Sequence, residues 1–253
     1  MEAFDIKPTF NCKYEIQDVH DCIYEYGFAR IPDFVSSEKL KELNFVFELG
    51  LTYDNYPYGY GKLARFDVLP TELSSAKRFF EEQFFQEVIT KYWKANSRIF
   101  QEYSFIHDFK FDPNTIYGNL HFDRRHQLKF MLYLTDVDSK KHGAFCAIPK
   151  SNILGKSLYA QSWKNALSLE SNDYSQIEIN ARLLPDSDSR YKSLPFRIVE
   201  DNLSLNGFSL DDTLSLTGSA GTLIIFDTHV LHLGGLVEDN FERKTIRLHT
   251  FPK

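Results

Sequence analysis

The segment NLHFDRR, at positions 119–125, carries residue types well suited to binding a metal ion. His121 and Asp123 are two residues apart, so on a β-strand both side chains point to the same face. An imidazole and a carboxylate side by side supply two adjacent metal ligands. With eight histidines and 35 acidic residues among 253, about one such pair is expected by chance. A metal site therefore needs a third ligand from elsewhere in the chain.

A third ligand is available in the segment GTLIIFDTHVLHLGG, at positions 221–235, which contains His229 and His232. Two histidines and one carboxylate facing an open cavity form the facial triad of non-haem Fe(II) oxygenases. Three coordination positions of the iron then stay open for a co-substrate and dioxygen. We therefore interpret His121, Asp123 and one of these two histidines as a candidate iron site.

A co-substrate such as 2-oxoglutarate needs a cation for its distal carboxylate. Arginine suits this role because its guanidinium binds a carboxylate through two parallel hydrogen bonds. Arg243 and Arg247 lie eleven and fifteen residues after His232. If the last strand begins near Arg243, both arginines share one face with Thr245.

Helical patterns dominate the first hundred residues. The predicted helices are Glu15–Tyr26, which ends at Gly27, a helix from Ser36 or Ser37 to about Leu49, and one or two helices within Thr71–Asn96. Phe28–Ile31 reads as a short apolar segment. The Tyr- and Gly-rich stretch Tyr53–Lys62 is predicted to be a loop.

Short runs of alternating polar and apolar residues follow Arg98, and many short strands at this spacing indicate a sandwich or barrel. The predicted strands are Ile99–Phe111, Gly118–Asp123, Leu128–Thr135, Ala144–Ile148, Phe196–Val199, Thr213–Leu216, Thr222–Asp227 and Thr245–Phe251. Between Ser151 and about Asn206 the pattern is weak and polar. Such an insertion is typical of a lid or binding loop, and equally of a surface excursion.

The segment from Asn119 to Phe251 resembles the phytanoyl-CoA dioxygenase family of Fe(II)/2-oxoglutarate oxygenases. NLHFD is similar to the HxD strand of that family, and LKFMLYLTDVDSKKHGAFCAIPKSN is similar to the strand pair that follows it. GTLIIFDTHVLHLGG, followed by Arg243, is similar to the strand of the distal histidine and the co-substrate arginine. Near the N-terminus, GFARIPDFVSSEKLKEL is similar to the opening strand and helix of the family.

The resemblance implies a mainly β fold with a double-stranded β-helix core, which is a jelly-roll of cupin-like type, and N-terminal flanking helices. It implies a single oxygenase domain over residues 1–253. Residues 1–97 would form a mostly helical N-terminal buttress. Residues 98–253 would form the β-helix core, with a lid-like insertion at about 151–210.

The resemblance also implies residue roles. His121, Asp123 and His232 are the expected iron ligands, and the family pattern Phe-Asp-Thr-x-x-x-His-x-Gly-Gly favours His232 over His229. The expected co-substrate contacts are Arg243, with Arg247 as the fallback, and Lys129 on the strand after HxD.

The implied activity is that of an Fe(II)/2-oxoglutarate-dependent dioxygenase. With O2 and 2-oxoglutarate as co-substrates, it would hydroxylate a C–H bond of a small polar metabolite, amino acid or natural-product intermediate and release succinate and CO2. Related halogenases replace the carboxylate ligand by a small residue, so Asp123 argues against halogenation. Desaturation and ring formation depend on substrate placement and stay open.

Two positions depart from the family pattern. The usual Pro-Gly-Ser-His turn is Pro-Lys-Ser-Asn at 149–152 here. Gly234 stands where some members carry a hydroxyl that binds 2-oxoglutarate. Another group, such as a Tyr or Thr, would have to supply that hydrogen bond here. These departures keep two alternatives open: a non-catalytic cupin-like protein that binds or senses a ligand, and a metal-dependent cupin enzyme that does not use 2-oxoglutarate and in which Arg243 is dispensable.

Candidate substrate contacts are less specific than the iron ligands. Arg124 and Arg125 directly follow the HxD strand and could hold an anionic substrate, or form an exposed basic turn. Tyr58, Tyr60 and Lys62 could line the pocket, or pack on the barrel. The remaining candidate histidines have no partner at metal-ligand spacing and are interpreted as surface or hydrogen-bonded core residues: His107, His126 and His249.

Composition narrows the function classes. A net charge of −6 offers no surface for nucleic acid or an anionic membrane. Three cysteines without a CxxC motif do not form a disulfide framework, and no apolar run approaches the roughly 20 residues of a membrane span. We expect a cytoplasmic protein, monomeric or homodimeric, that acts on a small molecule.

Overall fold

The computed structural model describes residues 15–53, 56–58, 61–94, 99–109, 120–123, 125–167, 203–204 and 206–252 of the chain. The predicted strand Phe196–Val199, the residues Arg124 and Tyr60, the side chain of Tyr58 and residues 168–202 of the predicted insertion lie outside this part.

The described helices are α1 (Ile16–Tyr26), α2 (Ser37–Tyr53), α3 (Ser74–Phe80), α4 (Gln83–Trp93) and α5 (Asn152–Leu167). The first four form where the apolar spacing predicts helices, whereas α5 lies in the weakly patterned insertion, for which the sequence predicts no helix. The predicted stop at Gly27 and the predicted start at Ser37 are confirmed, although α2 continues past Leu49 to Tyr53. The predicted helical region 71–96 contains a short 3-10 turn followed by α3 and α4.

The described strands form two antiparallel sheets. They are β1 (Phe28–Ile31), β2 (Tyr56–Tyr58), β3 (Gly61–Phe66), β4 (Ile99–Asp108), β5 (Leu128–Tyr133), β6 (Phe145–Ala147), β7 (Leu214–Leu216), β8 (Leu223–Asp227), β9 (His232–Leu233) and β10 (Arg243–Pro252). The large sheet has the order β1-β8-β5-β10-β4-β3-β2, and the small sheet has the order β7-β6-β9. Every pairing in both sheets is antiparallel.

The two sheets pack face to face. Met131 and Phe226 of the large sheet belong to one buried cluster with Phe145 and Leu216 of the small sheet. The Tyr133 hydroxyl crosses between them, since it donates to the Leu216 carbonyl at 2.9 Å and accepts the Phe145 N–H at 3.0 Å. This arrangement confirms the predicted jelly-roll, although the two sheets do not close into a continuous barrel within the described residues.

Helices cover the opposite face of the large sheet. Phe130 and Leu132 of β5 and Leu248 of β10 point into the same apolar cluster as Phe47 of α2 and Phe85 of α4. Side chains alternate between the two faces of a strand, so the residues between these point toward the small sheet. The large sheet therefore has one face covered by helices and one face that packs partly on the small sheet and also carries polar and charged side chains.

The stretch 53–62 is not simply the loop that its Gly and Pro content predicts. It contributes β2 and the start of β3, which add two strands to the edge of the large sheet. Gly61 makes this possible, because a Cβ there would overlap the carbonyl oxygen of His107 on β4. The same glycine that suggests a turn in the sequence allows the close approach of two strands.

The predicted strand Gly118–Asp123 is also reduced. Within the described residues it makes a single bridge, from His121 to His232. The segment 227–230 folds into a turn, with the Val230 N–H donating to the Asp227 carbonyl at 2.9 Å, and this turn interrupts the ladder.

The first helix after β6, α5, occupies the start of the weakly patterned insertion. Its assignment to a lid and the division of the chain at residue 97 stay predictions. The N-terminal region contributes β1, β2 and β3 to the large sheet as well as helices. None of the described helices is both long and apolar enough to cross a membrane.

Candidate metal centre

The three predicted iron ligands converge at one end of the sandwich. The backbones of His121 and His232 pair through reciprocal hydrogen bonds of 2.9 and 2.8 Å. Asp123 Oδ1 lies 3.7 Å from His121 Nε2 and 3.6 Å from His232 Nε2. The three side chains can each offer one ligand atom to a common point.

Hydrogen bonds outside the cluster prepare these side chains for a cation. His232 Nδ1 lies 2.8 Å from the carbonyl oxygen of Val230, so Nδ1 carries the proton and donates it. The lone pair of Nε2 is then free to bind a metal. In most metal-ligating histidines, a hydrogen bond donated by the other ring nitrogen fixes the tautomer in this way. Lys129 forms a close ion pair with Asp123 Oδ2, which leaves Oδ1 directed to the two histidines.

The charge state of Asp123 also suits a metal ligand. Burial opposes its ionisation, but Lys129 and the two histidines outweigh burial and hold the pKa of the carboxyl well below its usual range. Two imidazoles and one ionised carboxylate are the donor set that non-haem Fe(II) accepts. The residues present therefore fit an iron ion.

The surroundings of the cluster are apolar on one side and accessible on the other. The rings of Phe226 and Phe145 lie 5.2 and 5.5 Å from the ring of His232, measured between centroids. The Asp123 side chain is 19% exposed, compared with 6% for His232. A metal ion here would be dry on the inner side and reachable from outside.

Arg243, the first predicted co-substrate arginine, is buried in an ion pair. Its Nε and Nη2 donate to Asp108 Oδ2 at 2.9 and 2.7 Å, and its Nη1 donates to the Gly143 carbonyl. The register of β10 against β4 places Arg243 directly opposite Asp108. The guanidinium thus joins β10 to β4 and to the turn before β6, and its role toward 2-oxoglutarate stays a prediction.

Arg247 lies nearer than Arg243 to the candidate metal ligands, along the same face of β10. It pairs with Met131 on β5, whereas His249, two residues on, pairs with Lys129. Its Nε donates to the hydroxyl of Thr245 at 3.2 Å.

The other predicted contacts are spread over the molecule. The guanidinium of Arg125 lies 4.7 Å from the centroid of the Phe251 ring, as a cation–π contact. Tyr58 pairs with Gly61 in the hairpin of β2 and β3. Lys62 pairs with His107. His107 is next to Asp108 on β4, so its side chain and that of Lys62 lie on the opposite face, away from the small sheet.

Three histidines that lack a sequence partner have partners in space. His107 Nε2 lies 2.8 Å from Glu242, and His249 Nε2 lies 2.9 Å from the hydroxyl of Ser104. His126 joins a second group of possible metal ligands, which also contains His229, the alternative iron ligand. His229 therefore points away from the group formed by His121.

Sequence reasoning missed Asp108, since nothing in the local sequence connects it to Arg243. It also missed the grouping of Asp227 with His229, although these two show the same two-residue spacing as His121 and Asp123. That spacing is the signal that could have found them.

No protein-family model matches the sequence, and no curated protein matches it. Solved structures do match the fold. One is the epimerase SnoN in complex with Fe3+, alpha ketoglutarate and nogalamycin RO, with a TM-score of 0.63, 12% identity and coverage of 94% of this chain and 83% of SnoN. Another is the non-heme alpha ketoglutarate dependent carbocyclase SnoK from nogalamycin biosynthesis, with a TM-score of 0.60, 11% identity and coverage of 96% and 86%.

A third similar structure is HygX from Streptomyces hygroscopicus with nickel and 2-oxoglutarate bound, with a TM-score of 0.59, 13% identity and coverage of 94% and 87%. Each likeness extends over nearly the whole of this chain at low sequence identity. The chain therefore shares the fold of these metal- and 2-oxoglutarate-binding proteins.

Proposed function

We propose that this protein is an Fe(II)/2-oxoglutarate-dependent dioxygenase, a hydroxylase of a small polar metabolite, amino acid or natural-product intermediate. The observation that carries the proposal is the convergence of His121, Asp123 and His232 within this jelly-roll fold. The finer assignment to the phytanoyl-CoA dioxygenase family is part of the same proposal and rests on the sequence motifs.

His121, Asp123 and His232 would hold the iron. Iron bound together with 2-oxoglutarate and O2 supplies the oxidant that cleaves a substrate C–H bond. The chain supplies the rest: Val230 fixes the tautomer of His232, and Lys129 restrains Asp123 through its second oxygen. The phenylalanine rings beside His232 exclude water from the inner side of the site.

Arg247, with Thr245, is the better placed residue for the distal carboxylate of 2-oxoglutarate. All three nitrogens of the Arg243 guanidinium already donate to Asp108 and Gly143. His249 lies opposite Lys129, and Arg247 is two residues, about 6.8 Å, from His249 along the same strand. The Thr245 hydroxyl beside it supplies the hydroxyl that is missing at Gly234.

Two variants test this assignment. Arg247→Lys keeps the charge but loses the fork that binds a carboxylate through two bonds, so we expect the KM for 2-oxoglutarate to rise about tenfold while kcat changes little. Arg247→Met should raise the KM further. Arg65→Lys, which alters an arginine paired with Glu102 on β3 and β4, is the matched control. An unchanged KM in Arg247→Met would reassign the carboxylate to another residue.

The overall activity is tested with the metal-loaded protein. Anaerobic addition of Fe(II) and 2-oxoglutarate should produce the visible charge-transfer band of the chelate, and a metabolite panel should yield substrate-dependent succinate. Asp123→Ala should remove both signals, whereas Asp138→Ala, at an exposed aspartate, should keep them. Retention of both signals in Asp123→Ala would overturn the site. Metal binding without the band would favour a cupin enzyme that does not use 2-oxoglutarate.

The product mass then identifies the type of reaction. Hydroxylation adds one oxygen atom, desaturation or ring closure removes two hydrogens, and epimerisation leaves the mass unchanged. The second and third outcomes are relevant because SnoK is described as a carbocyclase and SnoN as an epimerase. Asp123 supports an oxygen-transferring enzyme over a halogenase, because a carboxylate occupies the coordination position that a halide would need.

A further inference from the structure

A second group of two histidines and one aspartate lies next to the candidate iron site. It consists of His126, Asp227 and His229, and all three residues are buried. Asp227 Oδ1 lies 3.3 Å from His126 Nε2 and 3.4 Å from His229 Nδ1. The two imidazole rings face each other with a centroid distance of 3.9 Å.

These distances are long for hydrogen bonds between charged groups, which are typically about 2.7–2.9 Å. Both match the spacing of neighbouring ligands around one small cation, and the ligand atoms of all three residues lie within 4.8 Å of one another. Zinc bonds of about 2.0–2.1 Å in tetrahedral geometry place neighbouring ligand atoms roughly 3.3–3.4 Å apart. The short hydrogen bond to Asp227 Oδ1 comes from elsewhere, from the backbone N–H of His229 at 2.8 Å.

The neighbours of the group complete a site. The hydroxyl of Tyr92 on α4 lies 2.9 Å from His126 Nε2, in reach of a fourth position. The ammonium of Lys156 on α5 lies 3.9 Å from the other oxygen, Asp227 Oδ2, which favours binding through Oδ1 alone. Gly155 lets α5 lie directly against the backbone of His229, because a Cβ there would overlap the His229 carbonyl.

We propose that His126, Asp227 and His229 form a second metal site, of the tetrahedral zinc type, with the Tyr92 hydroxyl at or beside the fourth position. Imidazole and carboxylate ligands at these spacings suit Zn²⁺ rather than Ca²⁺ or Mg²⁺, which prefer six or more oxygen ligands. This site goes beyond the proposed oxygenase function and does not depend on it.

The role of this second site is to brace the first. The segment that carries His126 begins with His121 and Asp123, and the segment that carries His229 continues to His232. The two segments are joined between the sites, since the Asp123 N–H donates to the Thr228 carbonyl at 3.1 Å. A metal ion at the second site links both segments to α4 and so holds the iron ligands in register.

Cobalt binding tests the proposal directly. Metal-free full-length protein is titrated with Co(II), whose four-coordinate complexes absorb visible light far more strongly than six-coordinate ones. We expect each chain to bind two equivalents of Co(II), one of which absorbs visible light intensely. Addition of Zn²⁺ should displace this Co(II) and remove the intense band. One equivalent without an intense band would overturn the proposal.

Variants assign each equivalent to a site. Asp123→Ala leaves every residue of the second site intact and should keep one equivalent and the intense band. His229→Gln and Asp227→Asn should lose that equivalent and need a higher Fe(II) concentration to form the charge-transfer band of the iron site, and Zn²⁺ should no longer raise their Tm. His107→Gln, at a surface histidine–glutamate pair, is the matched control.

The two proposals fail in different ways. Absence of the intense band in Asp123→Ala, while the wild-type iron complex forms normally, would refute the second site and leave the oxygenase intact. Absence of the iron–2-oxoglutarate band with the intense cobalt band still present would refute the oxygenase and leave the second site intact. If His229→Gln does not fold, the Asp123→Ala titration still decides the question.

Discussion

The two faces of the large sheet differ sharply in the side chains that they carry. The face under the helices is apolar, with Phe130 and Leu248 packed among side chains of α2 and α4. The face toward the small sheet, one residue away on the same strands, carries Lys129, Arg247 and Arg243. Strand alternation thus keeps these charged side chains on the face that also packs Met131 and Phe226 against the small sheet, and substituting them should have consequences different from substitutions under the helices.

The largest effect on stability is expected on the helix-covered face. Phe130→Ala removes a fully buried ring and should lower the free energy of unfolding by about 3–5 kcal/mol. Urea denaturation of the metal-free protein measures this change. Phe45→Ala, at a phenylalanine that is 71% exposed, should change it by less than about 0.5 kcal/mol. Similar losses in both variants would contradict the contribution of the helix-covered core to stability.

The Arg243–Asp108 pair is the expected exception on the inner face. Asp108→Ala leaves a buried guanidinium without its carboxylate and should cost about 3–4 kcal/mol. The double variant Asp108→Leu with Arg243→Met should recover most of that loss, because a pair of apolar side chains leaves no buried charge. A double-mutant cycle by urea denaturation measures the coupling. If both variants are near wild type, the pair contributes nothing to stability and Arg243 is available for a ligand.

Lys129, on the inner face beside the candidate metal ligands, should affect activity more than stability. Lys129→Met removes the ion pair with Asp123 Oδ2, and loss of a partner of a metal ligand typically costs about 10- to 100-fold in metal affinity or activity. We expect that decrease in succinate formation at fixed Fe(II), with a loss of unfolding free energy smaller than that of Asp108→Ala, because Lys129 and Asp123 are more exposed than Arg243 and Asp108. A large loss of stability instead would place Lys129 with the structural residues.

Acid should lower the free energy of unfolding through two buried histidines, His229 and His249. Because the pKa of His229 is lowered to about 4 in the folded protein, the unfolded chain binds more protons below about pH 6.5. Lowering the pH from 7 to 5 should therefore reduce the unfolding free energy by about 2 kcal/mol through His229 alone. His249, whose pKa is also lowered by burial and by Lys129 and Arg247, acts in the same direction.

His229→Gln should flatten this pH dependence in metal-free protein, measured by urea denaturation at several pH values. Phe45→Ala should keep the wild-type slope. An equally steep slope in His229→Gln would assign the acid sensitivity to other groups.

Local patterns were sufficient for most of the secondary structure. The apolar alternation of Leu128–Thr135 and Thr222–Asp227 predicts β5 and β8 closely, and the 3.6-residue spacing predicts α1 and α4. Local reasoning was less accurate at Tyr53–Lys62, where Gly61 permits a strand pairing instead of forming only a turn. The amino acids there are compatible with both outcomes, and contact with β4 decides between them.

Residue types and short spacings were sufficient by themselves to predict a candidate metal site. His121 and Asp123 at two-residue spacing, and the histidines of the segment 229–232, are visible before any fold is known. Only the tertiary structure decided which histidine joins which aspartate, and that Arg243 faces a carboxylate 135 residues away. The physical reason is strand register: it is set by packing between distant segments, and a shift of one residue would turn every one of these side chains to the opposite face.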